Sequence, residues 1–362
     1  MKRTGNLFEK VCAFEGLYRA FKKAMRGSGK TEEACAFEFD LEHRLLDLQR
    51  MLSDGTYRPD KYRYFQVYEP KERTISVASF RDRVVHHAVV VVLEPIFERV
   101  FIHDSYATRK NKGTHKCVRR AQVFMRLNRY YLKFDINRYF ESMDHGILIG
   151  LIERKIKDKK LLDLMKVIIA NSDVSRGEQT GKGLPIGNLT SQFFANVYLD
   201  AFDHYIKDDL GVKAYVRYMD DCVVFSDDNK RLKELLELTG VFLSERLGLK
   251  LKDSATMLNS RLNGLPFLGF RVFPALLRIR RENIKRLKVK ITQRETEFRQ
   301  GIISEEKYGM SLASMIGFIG FADSLNLRRK LFTTMKEVLV CHSREDGNPE
   351  ITHWMPDKGP RA

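Results

Sequence analysis

The sequence predicts an α+β fold, on the basis of its helical periodicity, one hairpin pattern and its composition. Leucines spaced by three and four residues indicate an amphipathic helix; they are Leu41, Leu45, Leu48 and Leu52. Two β-prone runs, residues 214–218 and 222–225, are separated by three residues, which predicts an antiparallel hairpin. Hydrophobic residues make up 43% of the 362 positions, enough to bury a sizeable core and to exclude a wholly disordered chain.

The remaining elements follow from the pattern along the chain. Helices are predicted over most of residues 7–52 and over 82–99, 144–170, 190–209, 230–247 and 281–339. Extended segments are predicted over 57–79, 130–136, 249–251 and 267–272. From His342 onward the sequence mixes Gly, Pro and charge without periodicity, which predicts a disordered tail.

The charge balance favours a polyanionic partner. Lys and Arg number 64 against 47 Asp and Glu, a formal net charge of +17. Each cation placed on a phosphate releases condensed counterions, so such an excess is typical of proteins that bind nucleic acid. The alternative is a basic surface that serves solubility.

Membrane insertion, secretion and disulfide bonding are not indicated. The longest apolar run, residues 88–93, is far shorter than the ~20 residues that span a bilayer, and the basic N-terminal segment lacks the apolar core of a signal peptide. The five cysteines are scattered and form no CxxC pair, so neither a disulfide framework nor a zinc site is predicted. We expect a cytoplasmic protein with no membrane partner.

Three aspartates are candidate metal ligands. Asp220 and Asp221 occupy the tip of the predicted hairpin, and Asp135 ends the strand over 130–136. Adjacent carboxylates resist ionisation unless a cation compensates them, and oxygen ligands without nearby His or Cys favour Mg²⁺. Together they could hold two Mg²⁺ ions about 4 Å apart, one activating a 3′-hydroxyl and one supporting a leaving pyrophosphate. The alternative is a pair of solvated turn aspartates.

At these residues the sequence resembles the reverse transcriptases. The run Tyr218-Met219-Asp220-Asp221 is similar to their YxDD box, and residues 134–145 resemble their first aspartate motif. Other motifs fall in the same order along residues 57–272. Lys71 and Arg73, together with residues 80–85, resemble the fingers motif that contacts the triphosphate of the incoming nucleotide. Residues 105–115 resemble the next fingers motif, and residues 267–270 resemble the primer grip. A single short box is weak evidence for a family, whereas a series of motifs in the family's order is specific.

The resemblance implies a right-hand polymerase fold and an RNA-directed DNA polymerase (nucleotidyltransferase) with a two-metal mechanism. The ligands of the two Mg²⁺ ions would be Asp135, the backbone carbonyl of Ile136, Asp220 and Asp221. The palm would be an antiparallel sheet with helices on one face. The expected ranges are 1–129 for the N-terminal helices and fingers, 130–275 for the palm with a fingers insertion at about 146–184, 276–341 for the helical thumb and 342–362 for the tail.

Residues 183–192 narrow the resemblance to one subfamily. Most reverse transcriptases read QGxxxSP at this point, whereas this chain reads IGxxxSQ from Ile186 to Gln192, which is similar to the reverse transcriptases of diversity-generating retroelements. In that bacterial and phage family the enzyme copies a template-repeat RNA and misincorporates opposite adenines. The mutated cDNA then replaces a variable repeat in a target gene. The family polymerase works with a small basic accessory variability protein that forms a ring of five.

The resemblance also assigns binding roles. Residues expected to contact the dNTP are Lys71, Arg73, Phe140 as a steric gate against a 2′-hydroxyl, Ile186, Gly187 and Gln192. Residues expected to contact nucleic acid are Arg109, Lys112, the primer-grip residues Leu268, Gly269 and Phe270, and the thumb residues Lys285 and Lys288. Ile186 has no donor or acceptor, so it constrains a nucleotide only by packing, and loss of a polar contact lowers discrimination by about 1–3 kcal/mol. The alternative is a plain core isoleucine.

Some features of the family pattern are missing. No lysine directly precedes Thr256, where related enzymes carry a candidate general acid, although Lys250 and Lys252 are near. The residues after Phe270 leave no room for an RNase H domain, and no Cys/His cluster indicates an endonuclease. Two alternatives remain open at this point. One is a retron-like or intron-like reverse transcriptase of ordinary fidelity, and the other is a catalytically inactive RNA-binding or abortive-infection relative.

Overall fold

The computed structural model describes residues 3–28, 31–68, 72–171 and 180–331. Lys71 and the predicted tail lie outside the described residues. By internal contacts the chain divides into two units, Met1–Asn263 and Gly264–Ala362. The division falls before the expected palm–thumb junction at 275/276, because the strands within residues 265–279 form a separate sheet rather than joining that of the first unit.

The described residues up to Phe97 form five helices of the first unit. They are α1 (Phe8–Cys12), α2 (Phe14–Met25), α3 (Glu32–Phe39), α4 (Leu41–Ser53) and α5 (Phe80–Phe97). The leucine pattern is confirmed on α4, where Leu45, Leu48 and Leu52 are buried. Helix α5 continues past Pro95 because the proline removes only one backbone donor near the helix end, while Leu93 and Phe97 stay buried.

A two-stranded antiparallel ribbon lies between α4 and α5. Its strands are β1 (Arg63–Val67) and β2 (Arg73–Val77), within the segment predicted to be extended. The register pairs Val67 with Arg73, and the Gln66 and Thr74 side chains hydrogen-bond across the exposed face. The ribbon therefore presents polar and cationic side chains beside the site described below.

The central sheet has four antiparallel strands in the order β4-β5-β3-β6. They are β3 (Tyr130–Phe134), β4 (Tyr215–Tyr218), β5 (Asp221–Ser226) and β6 (Met257–Ser260). The predicted hairpin is confirmed as β4–β5. Strand β6 was not predicted, since its four residues carry no apolar alternation and it is defined by pairing with β3.

Six more helices are described in the first unit: α6 (Thr114–Leu127), α7 (Tyr139–Ser142), α8 (His145–Glu153), α9 (Lys159–Ile169), α10 (Leu189–His204) and α11 (Asn229–Leu247). Helix α10 is buried around most of its circumference, as a helix inside the core must be. Helix α11 ends at Gly248, which adopts φ 62° as predicted for a terminating glycine. Helix α6 was not predicted, because arginines and lysines interrupt its apolar face.

The second unit contains a small antiparallel sheet and two described helices. The strands are β7 (Leu265–Phe267), β8 (Phe270–Val272) and β9 (Leu277–Ile279), and the helices are α12 (Arg281–Arg299) and α13 (Glu305–Gly320). Residues 325–331 are also helical. Across the described residues of the chain, no helix is both long and apolar enough to cross a membrane.

Candidate active site

The two adjacent aspartates lie at a tight turn between β4 and β5. Tyr218 pairs with Asp221, so Met219 and Asp220 form the turn itself. Met219 adopts φ 53°, a left-handed conformation that costs a non-glycine residue about 1–2 kcal/mol. Its carbonyl accepts a hydrogen bond from Arg217 Nη1 at 3.2 Å, which helps to hold the strained turn. Strain of this kind is common at functional sites.

The structure brings Asp135 and Asp220 together. Strand β3 pairs with β5 up to Phe134 and Cys222, so Asp135 leaves the sheet at the same edge as the turn. Burial, followed by the charge of Asp135 and a hydrogen bond between the two carboxyl groups, raises the pKa of Asp220 from 3.8 to about 7. The Asp135 Oδ1 atom is buried without a hydrogen-bond partner in the described residues. A half-buried carboxyl pair with one buried, unsatisfied oxygen fits a cation ligand.

Asp221 is oriented differently. Its Oδ1 lies 2.9 Å from Nζ of Lys133 on β3, and this ion pair is mostly shielded from solvent. Within the described ranges no group of three or more His, Cys, Asp or Glu side chains is arranged to hold a metal. Two of the three predicted carboxylates therefore meet, and the third is neutralised by a lysine that the sequence analysis did not single out.

The backbone beside Asp135 leaves a further oxygen available. Ile136 faces Leu251 in an isolated antiparallel bridge. The two hydrogen bonds of this bridge come from the residues on either side of Ile136. Asn137 N–H donates to the Lys250 carbonyl (2.8 Å), and Lys252 N–H donates to the Asp135 carbonyl (2.9 Å). Among the described residues, none donates a hydrogen bond to the Ile136 carbonyl. Carboxylate and carbonyl oxygens are the donor set that Mg²⁺ prefers, so these residues fit the metal implied by the sequence.

The raised pKa of Asp220 makes the stability of the metal-free protein depend on pH. A carboxyl group whose pKa is higher in the folded state destabilises that state increasingly as pH rises from about 4 towards 7. Asp220→Asn removes this titration. In EDTA at pH 8 we expect the variant to melt ~2–5 °C above the wild type, and at pH 4 at about the same temperature. A melting difference that does not change with pH, measured by calorimetry, would contradict this expectation.

A cleft of about 780 Å³ adjoins the residues that follow Asp135. Its walls come from the β1–β2 ribbon, from the segment after Ile136, from the segment ending at Ile186 and from the chain after α11. Its cationic lining residues are Arg73, Arg138, Lys182 and Lys250, and its carboxylates are Glu72 and Glu141. Cations outnumber carboxylates, which suits a polyphosphate ligand.

The segment around Ile186 docks against the ribbon. The Ile186 carbonyl accepts a hydrogen bond from the Ser76 N–H of β2 at 2.8 Å, while the Ile186 side chain lines the cleft. Gly187 adopts φ 116°, and a Cβ atom there would lie 2.7 Å from Ile75 Cγ2 and 3.1 Å from the Ser76 carbonyl. Only glycine permits this approach of two backbones. Ile186 is thus a half-buried cleft residue rather than a plain core residue.

We expect Gly187→Ala to disturb this contact. Backbone strain and the clash with β2 should together lower the free energy of unfolding by about 2–3 kcal/mol. Gly113→Ala is a matched control, because Gly113 has φ 102° but an added Cβ would meet nothing within 4 Å. Denaturant unfolding should therefore show a clearly larger loss for Gly187→Ala, and equal losses would mean that the contact with β2 contributes nothing.

Two other predicted dNTP residues occupy neighbouring positions. Phe140 is half-buried, its ring packs edge-on against Tyr139 with centroids 5.6 Å apart, and its carbonyl accepts from Leu184 N–H at 2.7 Å. Gln192 lies in the first turn of α10, where its N–H bonds to the Asn188 carbonyl. Phe140 therefore links the segment that follows Asp135 to the segment that carries Ile186. Gln192 instead forms part of the start of α10.

Comparison with known proteins identifies the family. The family model described as "Reverse transcriptase (RNA-dependent DNA polymerase)" matches residues 66–272, more than half of the chain. The chain belongs to the reverse transcriptase family. The matched range includes the aspartates, the cleft and strands β7 and β8.

Individual relatives of this chain are distant in sequence. The Group II intron-encoded protein LtrA of Lactococcus lactis is 29% identical over 170 residues, which cover 46% of this chain and 28% of LtrA. Protein YkfC of Escherichia coli is 27% identical over 269 residues, covering 62% of this chain and 70% of YkfC. The chain thus spans under a third of LtrA.

A solved structure supports the fold. Telomerase from Candida tropicalis, in complex with the TWJ fragment of telomeric RNA, superposes with a TM-score of 0.51 at 11% identity, covering 82% of this chain and 57% of the telomerase chain. At that identity the likeness shows the fold alone. The predicted right-hand polymerase fold is confirmed.

Arg109 and Lys112 make their contacts inside the fold of this chain. Arg109 donates to Glu98 and to the carbonyls of Ile102 and Ser105, and only 5% of its side chain is exposed. Lys112 Nζ donates to the His103 carbonyl at 2.6 Å. These contacts brace the loop before α6, so we do not include either residue in the nucleic-acid surface proposed below.

The predicted primer grip forms a tight turn between β7 and β8. Leu268 and Gly269 both have positive φ, 47° and 89°, and Asn283 donates to the Gly269 carbonyl at 3.0 Å. Phe270 is buried and packs against aromatic rings of the second unit. Lys285 and Lys288 are exposed on α12. The turn is thus firmly held, and these two lysines face solvent.

Sequence reasoning also missed Arg217 and Asp203. Asp203 lies on α10, and both side chains are fully buried, joined by a bidentate ion pair with oxygens 2.7 and 2.6 Å from the guanidinium nitrogens. Burial alone would lower the pKa of Arg217, but the charge and hydrogen bonds of Asp203 raise it. The signal was present, because an arginine inside the apolar run 214–218 requires a buried partner.

Proposed function

We propose that this protein is an RNA-directed DNA polymerase with a two-metal active site. The observation that carries the proposal is the half-buried Asp135–Asp220 pair, with its unsatisfied buried oxygen, near a cleft in which cationic side chains outnumber carboxylates. Membership of the reverse transcriptase family supports the same reaction.

In the proposed reaction, one group of residues binds the metal ions and another binds the triphosphate of the incoming nucleotide. Two Mg²⁺ ions, held by Asp135, Asp220, the Ile136 carbonyl and Asp221, would activate the primer 3′-hydroxyl and offset charge on the leaving pyrophosphate. Asp220 would bind the metal in its deprotonated form. Asp221 would hold a metal ion only if it were released from its ion pair with Lys133. The cleft cations Arg73, Arg138, Lys182 and Lys250 orient the triphosphate and stabilise its developing charge.

Sugar selection and primer contact are assigned to further residues. Phe140 acts as the steric gate against a 2′-hydroxyl, and Gly187 and Gln192 shape the segment that carries Ile186. Lys71 adds a contact to the triphosphate. Leu268 and Gly269 of the turn and the exposed Lys285 and Lys288 contact the template–primer duplex, while the buried Phe270 anchors the turn. The net charge of +17 supports this binding.

We further propose that synthesis is error-prone at template adenines, as in a diversity-generating retroelement. The support is the IGxxxSQ segment and the position of Ile186 in the cleft, where its side chain offers no hydrogen bond. The template would be a template-repeat RNA and the product a mutated cDNA that diversifies a target gene. The proposed protein partner is a small basic pentameric accessory variability protein, on the basis of the resemblance alone.

The test is primer extension on an RNA template with Mg²⁺ and the four dNTPs, followed by sequencing of the products. We expect DNA synthesis, substitutions concentrated opposite adenine, and no synthesis in EDTA. The reaction should be run with and without the accessory protein, because errors that need this partner would still support the proposal. No DNA under either condition would contradict the polymerase assignment and favour an inactive RNA-binding relative.

A second candidate is a reverse transcriptase of ordinary fidelity. The observation that favours it is the similarity to LtrA, an intron-encoded protein. The same sequencing separates the two, because a faithful enzyme leaves errors evenly rare across all four template bases, whereas the retroelement function requires an excess at adenine.

A further inference from the structure

Arg217 lies on β4 directly behind the catalytic turn, with its side chain completely buried. A guanidinium group carries five N–H donors. Nε donates to Asp203 Oδ1 (2.7 Å), and Nη2 donates to Asp203 Oδ2 (2.6 Å) and Ser105 Oγ (3.1 Å). Nη1 donates to Asn196 Oδ1 (3.1 Å) and to the Met219 carbonyl (3.2 Å). All five donors therefore have a partner.

The contact with Met219 differs from the other four. It is made to the backbone of the residue that precedes Asp220, at φ 53°, which non-glycine residues adopt only at an energetic cost. A fixed donor aimed at that carbonyl favours the left-handed conformation over its competitors. The position of the Asp220 carboxyl group depends on that conformation, because Met219 and Asp220 together form the turn.

The rest of the cluster anchors the guanidinium. Asp203 and Asn196 both lie on the buried helix α10. Ser105 belongs to a segment bonded to β4 through Arg217 N–H to the Asp104 carbonyl (2.9 Å) and Tyr106 N–H to the Arg217 carbonyl (3.0 Å). With its other donors fixed by two separate segments, Nη1 has little freedom to leave the turn. Lysine has a single nitrogen and could not reproduce this fork.

We propose that Arg217 is a positioning residue that holds the Met219–Asp220 turn where Asp220 meets Asp135. The inference rests on the proposed function in taking this carboxyl pair as the catalytic centre. It differs from a purely structural role, in which the Arg217–Asp203 pair would only stabilise the junction of α10 and the sheet.

The test compares Arg217→Lys with the matched control Arg120→Lys. Arg120 also pairs with a buried aspartate, Asp104, at 2.8 Å, but it does not touch the turn. For Arg217→Lys we expect kcat to fall ~10–100-fold at nearly unchanged dNTP KM, since small misplacements of reacting groups have effects of this size. We expect its Mn²⁺ affinity, measured by electron paramagnetic resonance, to fall on the order of tenfold. Arg120→Lys should leave both quantities within about twofold of the wild type.

Rescue by glycine separates positioning from stability. Met219→Gly allows the turn to adopt positive φ without the side-chain penalty. Added to Arg217→Lys, it should recover kcat by roughly fivefold or more, which a loss of global stability would not allow. Absence of rescue in folded protein, or equal kcat losses in the two lysine variants, would overturn the inference.

Two further outcomes are distinguishable. If the wild type makes no DNA, the proposed function fails, and the Mn²⁺ affinities alone then decide whether Arg217 positions the carboxyl pair. If Arg217→Lys does not fold, Asn196→Ala replaces it, because it loosens Nη1 while leaving the Asp203 pair intact. We then expect a kcat loss of about three- to tenfold that Met219→Gly recovers. An unchanged kcat in folded Asn196→Ala would overturn the inference.

Discussion

Asp220→Asn is expected to reduce DNA synthesis by at least ~10³-fold, equivalent to about 4 kcal/mol of transition-state stabilisation. The substitution keeps the size of the side chain but removes the carboxylate that, together with Asp135 and its unsatisfied Oδ1, would hold the metal. Single-turnover primer extension at saturating dNTP measures the effect directly. Because the same variant should be more stable than the wild type in EDTA at pH 8, the loss of synthesis cannot come from unfolding.

The chain supplies its own matched control for this prediction. Another Asp-Asp pair, Asp227 and Asp228, follows the opposite end of β5. Asp227 accepts a hydrogen bond from Arg129 N–H at 2.9 Å, and Asp228 caps α11 through Lys230 N–H at 2.8 Å. Asp227→Asn makes the same chemical change at the other end of the same strand. Its synthesis rate should stay within about threefold of the wild type.

Asp221→Asn separates the two aspartates of the turn. It should also impair synthesis, but it leaves Lys133 without its carboxylate, so its stability in EDTA should fall rather than rise. Opposite signs for the stability changes of Asp220→Asn and Asp221→Asn would show that the two adjacent aspartates occupy different electrostatic environments. Full synthesis by Asp220→Asn would contradict the proposed active site.

The three aspartates Asp135, Asp220 and Asp221 illustrate how far the site could be predicted from the sequence. A hairpin with apolar strands on both sides located Asp220 and Asp221, and the strand before it located Asp135. These predictions depend on local periodicity, which is a property of neighbouring residues. The partners of each carboxylate could not be predicted in the same way. Lys133 meets Asp221 through the register between β3 and β5, which is fixed only when the whole sheet assembles.

The secondary structure likewise contains elements that local sequence predicts and elements that depend on long-range pairing. The helices with a clear apolar periodicity and the hairpin could be predicted from the sequence. Strand β6 could not, because its short segment is a strand only through its pairing with β3. Helix α6 could not, because lysine and arginine residues interrupt its apolar pattern. Arg109 was assigned to nucleic acid on its motif alone. The structure instead surrounds its guanidinium with Glu98 and two backbone carbonyls, because a charged side chain that becomes buried must take its partners from the fold.

Ile186→Gln is the prediction with the next largest effect. Ile186 lines the cleft, and its backbone is held against β2 by the Ser76 bond, so a new side chain there should face the nucleotide without moving the segment. Glutamine adds a donor and an acceptor where isoleucine has neither. If polar positioning restores about 1–3 kcal/mol of discrimination, substitutions opposite adenine should fall roughly ten- to hundredfold.

Ile186→Val is the matched control, since it changes volume but adds no polar atom, and it should keep the adenine-directed errors. Sequencing of cDNA made by the three proteins, with the accessory protein present, gives the error rate at each template base. A drop confined to adenine in Ile186→Gln would assign the mutagenic behaviour to the missing hydrogen bond. An equal drop in both variants would assign it to packing instead. An unchanged spectrum in both would remove Ile186 from fidelity control, because a side chain that lines the cleft but does not constrain the nucleotide cannot influence which base is chosen.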